Sequence, residues 1–327
     1  LIDFAGAHGT GLVQLPDIIS MFGAPQSPSK RMPMAATRSY LGQVVHLGDA
    51  VEHGTVTLEA KPNARHEAAD ELRAMAGSDK IAQARASKIR GKVGWINSAT
   101  YGRCGRFGTG VLKKFQYDPA NGGRAVSVDD AADLRMLAKM ITIIPPRIAR
   151  VLAPPRPRVV VYSDASWEQE ARLGWIVLKH ERKYVPQGRS SLVTDEVLSH
   201  LVERKTQIMA CEAIAVPQAI IREPHLFEGS DVIWFIDNEA ACSSLVRGTS
   251  SQDDIGLIAG ITHFLMMRLN IRIWYEWIDS NSNPADGLSR DGLQDEWTVQ
   301  QGWQLSNSTS LMWQELLDAI PSTQQDD

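Results

Sequence analysis

The clearest hydrophobic patterning lies in the C-terminal half of the chain. Residues 158–162 form a short, valine-rich run that breaks into the polar tetrapeptide SDAS, the pattern of a buried strand ending in a loop. Residues 173–178 and 183–186 flank the charged turn 179–182 and predict two further strands in an antiparallel meander with the first. Residues 208–221 carry apolar positions at helical spacing. Residues 231–236 read as a strand, 238–247 and 254–269 as helices, and 271–277 as a fifth strand before a loop around Pro284. The order βββαβααβα implies an α/β fold, a mixed five-stranded sheet with helices packed on its faces.

Upstream, residues 145–157 contain five prolines and no periodicity, which marks a domain boundary because proline removes a donor and bars helix continuation. Before it, two β-type runs in residues 39–58 surround a turn and predict a hairpin. Residues 62–76, 81–96 and 128–144 follow with helical spacing. GRCGRFGTG (102–110) lacks the GK[ST] ending of a phosphate loop and reads as a flexible basic loop. The expected organisation is therefore a mainly helical module with a β-hairpin over 1–156, the α/β domain over 157–291, and a tail over 292–327. That tail holds Trp297, Trp303 and Trp313 and a short helix at 311–319, and its polar flanks suggest a linker or weak docking segment.

Composition narrows the setting. No apolar run reaches the length of a membrane span. Cys104, Cys211 and Cys242 show no CxxC spacing and read as free thiols in an intracellular protein of the cytoplasm or nucleus. The first residue is Leu1, as expected for a piece of a longer polypeptide. The net charge of -4 hides an asymmetry: residues 1–157 are net positive and 158–327 net negative. Nine basic residues, Lys80, Arg85, Lys88, Arg90, Lys92, Arg103, Arg106, Lys113 and Lys114, occur with no acid among them and are interleaved with Trp95, Tyr101 and Phe107. Such a mixture binds phosphates and stacks on sugars or bases, the plainer alternative being a solvated helix face.

The candidate chemistry is carboxylate-based. Asp164 and Asp237 each follow a predicted strand, and adjacent strands can bring them within reach of one metal. Glu212 lies inside the apolar helix segment MACEAIAV, where an unpaired carboxylate is expensive to bury. Asp286 opens a short final helix. Each has a plainer reading: turn capping for the aspartates, pairing with Arg222 or Lys205 for Glu212, and helix capping for Asp286. Together, on a strand, a helix, a strand and a terminal helix, they suit oxygen-preferring Mg²⁺, with Mn²⁺ as a substitute, and two such ions about 4 Å apart can drive phosphodiester hydrolysis. Glu168, Glu170, Asp279 and Glu239 read as exposed or capping groups. The histidines lack zinc-ligand spacing, no GxSxG elbow occurs, and Trp274, Tyr275 and Trp277 read as core packing on the fifth strand.

YSDAS (162–166), MACEAIA (209–215), WFIDNEAA (234–241) and NPADGLSR (283–290) together resemble the ribonuclease H domain of retroelement polymerases. NPADGLSR is similar to the closing motif of LTR-type and DIRS-like retrotransposons. The resemblance implies a ribonuclease H-like fold with Asp164, Glu212 and Asp237 as central metal ligands and Asp286 as the ligand from the final helix. It also implies two Mg²⁺ ions and cleavage of the RNA strand of RNA/DNA hybrids. SYLG, the hairpin and IRGKVGWIN look like the palm end, thumb and connection of a reverse transcriptase, which makes the rest of a parent polymerase the expected partner. No YxDD-type motif is present, so no polymerase site is expected in these residues. One feature departs from the family: residues 278–283 contain no histidine, where many relatives carry one thought to assist product release. The rival readings are a non-catalytic nucleic-acid-binding or scaffold module and a DNA strand-transfer enzyme.

Overall fold

The computed structural model describes residue 21 and residues 36–40, 42–98, 103–119, 122–150, 155–168, 170–181 and 183–321. Tyr101 and the predicted positions 102, 151–154 and 322–327 lie outside the described residues. Strands β1 (Thr37–Tyr40), β2 (Gln43–His46) and β3 (Thr55–Ala60) pair antiparallel, so the expected hairpin is present with one more strand in front of it. Helices α1 (Pro62–Ala76), α2 (Gln83–Ser98), α3 (Arg106–Gln116) and α4 (Val128–Ile143) follow, with a short ladder of β4 (Lys80–Ile81) on β5 (Arg124–Ala125). Proline at the first turn starts α1, and a reciprocal capping box of Ser127 and Asp130 starts α4.

Two expectations for this half need correction. The glycine-rich stretch is not simply a flexible loop, because residues from Arg106 onward form α3, with Phe107, Val111, Leu112 and Phe115 as its buried stripe. Gly105 supplies the left-handed residue before the helix at φ 74°, and a Cβ on Gly108 would lie 2.7 Å from Leu137. The proline-rich boundary also contains a strand, β6 (Arg147–Arg150), paired antiparallel with β3. Its described prolines, at 145, 146, 155 and 157, sit outside the ladder, so they cost it no donor.

The second sheet is built from β7 (Arg158–Trp167), β8 (Ala171–Lys179), β9 (Gln187–Leu192), β10 (Asp231–Ile236), β11 (Arg272–Trp277) and β12 (Gln304–Asn307). Its order is β11-β10-β7-β8-β9-β12: β7, β8 and β9 are an antiparallel meander, β10 and β11 add parallel beside β7, and β12 adds parallel to β9. The sheet therefore has six strands where the sequence predicts five. The third is 187–192, not 183–186. It was hard to read because QGRSSL is small and polar: Gly188 accommodates Leu305, which a Cβ there would approach to 2.6 Å.

The helices of this half are α5 (Asp195–Ser199), α6 (Ile208–Arg222), α7 (Pro224–Phe227), α8 (Glu239–Arg247), α9 (Asp253–Arg268), α10 (Asp286–Arg290), α11 (Glu296–Gln300) and α12 (Trp313–Asp318). Helix α6 is buried along its whole middle, from Ala210 to Ile220, since it packs against β7, β8, α8 and α9. Apolar packing continues across the proline-rich segment. Phe107 of α3 sits on Gly260 of α9, where a Cβ would come within 2.5 Å of its ring, and Arg106 donates to the Arg247 carbonyl at 3.1 Å. No helix among the described residues is long and apolar enough to cross a membrane.

Of the two readings of the tail, the structure fits docking and not a linker. Within its described part, β12 extends the sheet, and Trp313, Leu316 and Ile320 join the main core. Arg222 at the end of α6 ties this segment down, pairing with both Glu315 oxygens at 2.8 and 2.5 Å and donating to the carbonyls of Thr309 and Ser310 at 3.1 and 2.7 Å. The polar surroundings of these few apolar residues concealed a docked segment. Leu316→Ala should therefore cost about 2–5 kcal/mol in chemical denaturation, whereas a detached tail would leave the midpoint unchanged.

Candidate metal centre

The strand register brings the two aspartates together. Ser163 of β7 pairs with Ile236, the last residue of β10, so Asp164 and Asp237, each the next residue along its chain segment, come level at the ends of this parallel pairing. Glu212 arrives from α6. One ligand atom from each of Asp164, Glu212 and Asp237 lies within 4.8 Å of the other two, and this is the one such acidic, histidine or cysteine group among the described residues. Asp164 and Glu212 are 4% and 2% exposed, while Asp237 is half-buried.

Protein donors hold one oxygen of each acid. Glu212 Oε1 accepts from the Ala165 backbone N–H at 3.0 Å, Asp237 Oδ2 from the Ser280 hydroxyl at 2.6 Å, and Asp164 Oδ2 from the Ser289 hydroxyl. Asn283 donates to the Ser163 carbonyl at 2.9 Å and makes a 3.4 Å contact with Asp164 Oδ1. Trp277 Nε1 donates to the Asp237 carbonyl at 2.9 Å. Glu212 Oε2 is buried without any hydrogen-bond partner. An orphaned carboxylate oxygen facing two further carboxylates fits a hard divalent cation and an all-oxygen donor set.

The plainer readings do not fit Asp237 or an Arg222 pairing of Glu212, whereas Asp286 keeps one, as a first-turn acid paired with Arg290. Asn238, not Asp237, caps α8 by accepting from Ala241 N at 3.0 Å. Arg222 is committed to Glu315, leaving Glu212 to the aspartates. Helix α10 has Ala285 at its N-cap, so Asp286 is not its cap. Asp286 lies outside the three-acid group: its Oδ1 accepts from Arg290 Nε at 2.8 Å, and Arg290 also reaches Glu168 at 3.7 Å. Its charge still acts on Asp164, adding to the repulsion there. Glu170 pairs with Arg172 at 3.2 Å and Asp279 caps the turn at Ser280, as simple surface roles require.

The basic stretch is partly spoken for. Arg85 pairs with Glu71 and Lys92 with Glu67, each at 2.7 Å, Lys114 pairs with Asp253, and Arg90 donates to Gln116 at 2.6 Å. The acids missing from the local sequence come from α1 and α9. Lys80, Lys88, Arg103, Arg106 and Lys113 are exposed. The aromatic expectation for β11 also needs correcting: Tyr275 is buried, but Trp274 is exposed on the opposite, uncovered face of this edge strand, and Trp277, on the face of Tyr275, is exposed at the strand's last position. The serines at 280 and 289 and Asn283 were not singled out from sequence, though all three fall within or just before NPADGLSR.

Burial is the main reason the Asp164 carboxyl is pushed up to about 7, with the Asp237 charge adding to it and the Ser289 hydrogen bond opposing it. Burial first, then Asp164 and Asp237, raises Glu212 well above the usual carboxylate range. Both acids bind protons more tightly folded than unfolded. The stability that these two carboxyls contribute without metal is thus fully present below about pH 4, the unfolded carboxylate value, and for Asp164 is lost as pH rises through about 7. In chelator the Tm should be several degrees lower at pH 8 than at pH 5, and millimolar Mg²⁺ should raise it far more at pH 8. A flat Tm profile in chelator would count against this electrostatic picture.

No family model matches the chain, and no curated protein matches it. Among solved structures, ribonuclease H1 from the halophilic archaeon Halobacterium salinarum NRC-1 is similar to part of it, at 16% identity over 42% of this chain and 98% of that one, with a TM-score of 0.31. The N-terminal ribonuclease H domain of Rv2228c from Mycobacterium tuberculosis, solved as a maltose-binding-protein fusion, is similar at 15% identity over 45% of this chain and 99% of that one, with a TM-score of 0.30.

Proposed function

We propose that the chain is a metal-dependent nuclease of the ribonuclease H type that cuts the RNA strand of RNA/DNA hybrids. The single observation that carries this reading is the meeting of Asp164, Glu212 and Asp237, two of them buried, around an unpartnered Glu212 oxygen. Asp164, Glu212 and Asp237 would hold Mg²⁺, or Mn²⁺ in its place. Asp286 would serve as a further ligand once its carboxylate leaves Arg290. When bound, a pair of such ions supplies charge neutralisation and Lewis-acid activation for phosphodiester hydrolysis.

The protein's own groups do the rest. Ala165 N–H and the two serine hydroxyls orient the carboxylates, and Asn283 ties the loop after β11 to β7. The exposed Lys80, Lys88, Arg103 and Lys113 would bind the nucleic-acid backbone, with a further contribution from Arg106, which is exposed but also donates to the Arg247 carbonyl, and a weaker one from Arg85, Arg90, Lys92 and Lys114, whose side chains have internal partners. The motifs YSDAS, MACEAIA, WFIDNEAA and NPADGLSR support an origin in a retroelement reverse transcriptase, with residues 1–156 as thumb and connection and the parent polymerase as partner.

Asp237→Asn should abolish cleavage of a labelled RNA/DNA hybrid in Mg²⁺ while the circular dichroism spectrum stays that of the parent. A retained rate would remove the site assignment. Hybrid binding by the parent without cleavage in millimolar Mg²⁺ or Mn²⁺ would leave a binding module instead. Exchanging each exposed lysine or arginine for alanine should flatten the salt dependence of hybrid affinity by about one phosphate contact.

A further inference from the structure

The segment that follows β11 crosses over the sheet and carries two hydroxyls to the acids. It can lie there because residue 174, paired with Asp164 across β7 and β8, is glycine: a Cβ at that position would stand 2.6 Å from Ser289 N and 2.8 Å from the Ala285 carbonyl. The segment is stitched to β7 on both sides of Asp164. Asn283 donates to the Ser163 carbonyl at 2.9 Å, and Ser166 Oγ donates to the Ser289 carbonyl at 2.5 Å. Ser280 and Ser289 are thereby aimed at Asp237 Oδ2 and Asp164 Oδ2.

We infer that Ser280 and Ser289 are positioning residues that set the aspartates for a divalent cation, an inference that rests on the metal-centre reading above. All three acids follow one scheme. A protein donor fixes one oxygen of each, Ser289 for Asp164, Ser280 for Asp237 and the Ala165 amide for Glu212. What remains is a Glu212 oxygen that no protein donor reaches and an Asp164 oxygen whose donor contact is the 3.4 Å one from Asn283, with both acids lying against Asp237. A donor on one oxygen fixes the rotation of the carboxylate and turns the other toward the ion, so the ordering cost is met before the ion arrives.

Ser289 has a competing use for its single proton, since its hydroxyl also lies 2.8 Å from the Asp286 carbonyl, the back-bond of an ordinary helical serine. A carboxylate is the stronger acceptor, which favours Asp164. Ser280 has no such alternative among the described contacts and is exposed, so its bond to Asp237 persists against water only through the turn that Asp279 caps.

The test is a calorimetric titration of Mn²⁺ into the full chain without nucleic acid, for the parent, Ser280→Ala, Ser289→Ala, Ser280→Thr and Asp237→Asn. Each alanine variant should weaken Mn²⁺ binding about tenfold with a Tm in chelator within about 2 °C of the parent. Ser280→Thr, which keeps the hydroxyl, should restore the parent affinity. The Mg²⁺ concentration for half-maximal hybrid cleavage should rise by the same factor, with the rate at saturating Mg²⁺ largely kept. Parent-like Mn²⁺ affinity in the alanine variants overturns the inference while leaving the metal centre standing. A lowered Tm with unchanged affinity in Ser289→Ala overturns it for that residue and assigns the hydroxyl to the Asp286 carbonyl. If the parent fails to bind Mn²⁺, or Asp237→Asn binds it equally well, the metal-centre reading fails and this inference with it.

Discussion

Three carboxylates share a space in which one atom from each lies within 4.8 Å of the others, and two of the three are almost completely buried. At such separations, with little water between them, full ionisation of all three is strongly resisted. The remainder of the α/β half can be understood as the scaffold that enforces this crowding. The central parallel pair β7 and β10 sets the aspartates level, and the buried helix α6 drives a glutamate into the same space. Among the described residues no arginine or lysine is placed against Glu212 to relieve it, while Arg189, Arg204 and Arg222 are spent on other acids. Arg290, held by Asp286, is the internal cation whose charge reaches Asp164, and a fold that concentrates three carboxylates with so little compensation is organised around a cation from outside.

Close backbone approach is the second requirement. Gly174 lets the Ala285–Ser289 backbone rest on the sheet beside Asp164, and Gly188 lets Leu305 rest on β9. Together these contacts cover half of one sheet face, with Ile176, Ala285 and Leu288 forming a small satellite core. The other half of that face, near β10 and β11, keeps Ile233 and Trp274 exposed. Side-chain volume along the β8 and β9 strands thus decides where the loop bearing the serines can sit, and through it how the aspartates are oriented.

Much of this was legible in the residues. Strands β7 and β10 announce themselves because each ends an apolar run in an aspartate, and Glu212 stands out because nothing else in MACEAIAV is charged. Strand β9 and strand β12 were not legible: QGRSSL and QLSN are small and polar, and their burial comes from segments far away in sequence. Helix α3 was hidden by three glycines at its start, one of which is small for the sake of Leu137. The basic run looked uncompensated because the acids that answer it, Glu67, Glu71 and Asp253, lie outside the window. Asp286 shows the same limit, since Arg290 four residues on takes up its carboxylate in a way that spacing alone permits but does not demand.

The way Arg222 grips Thr309, Ser310 and Glu315 bears on the order in which the molecule can be made. Helix α6 presents Glu212 at one end and is fastened at the other by residues almost a hundred positions later, while β9 acquires its outer neighbour β12 only from residue 304 onward. Pairings of such long sequence separation close slowly, and a ribosome delivers the last of these residues long after the first strands have emerged. The chain is therefore built so that the three acids are made before the loop that covers Asp164, and that loop before the residues that fasten α6 and complete the core.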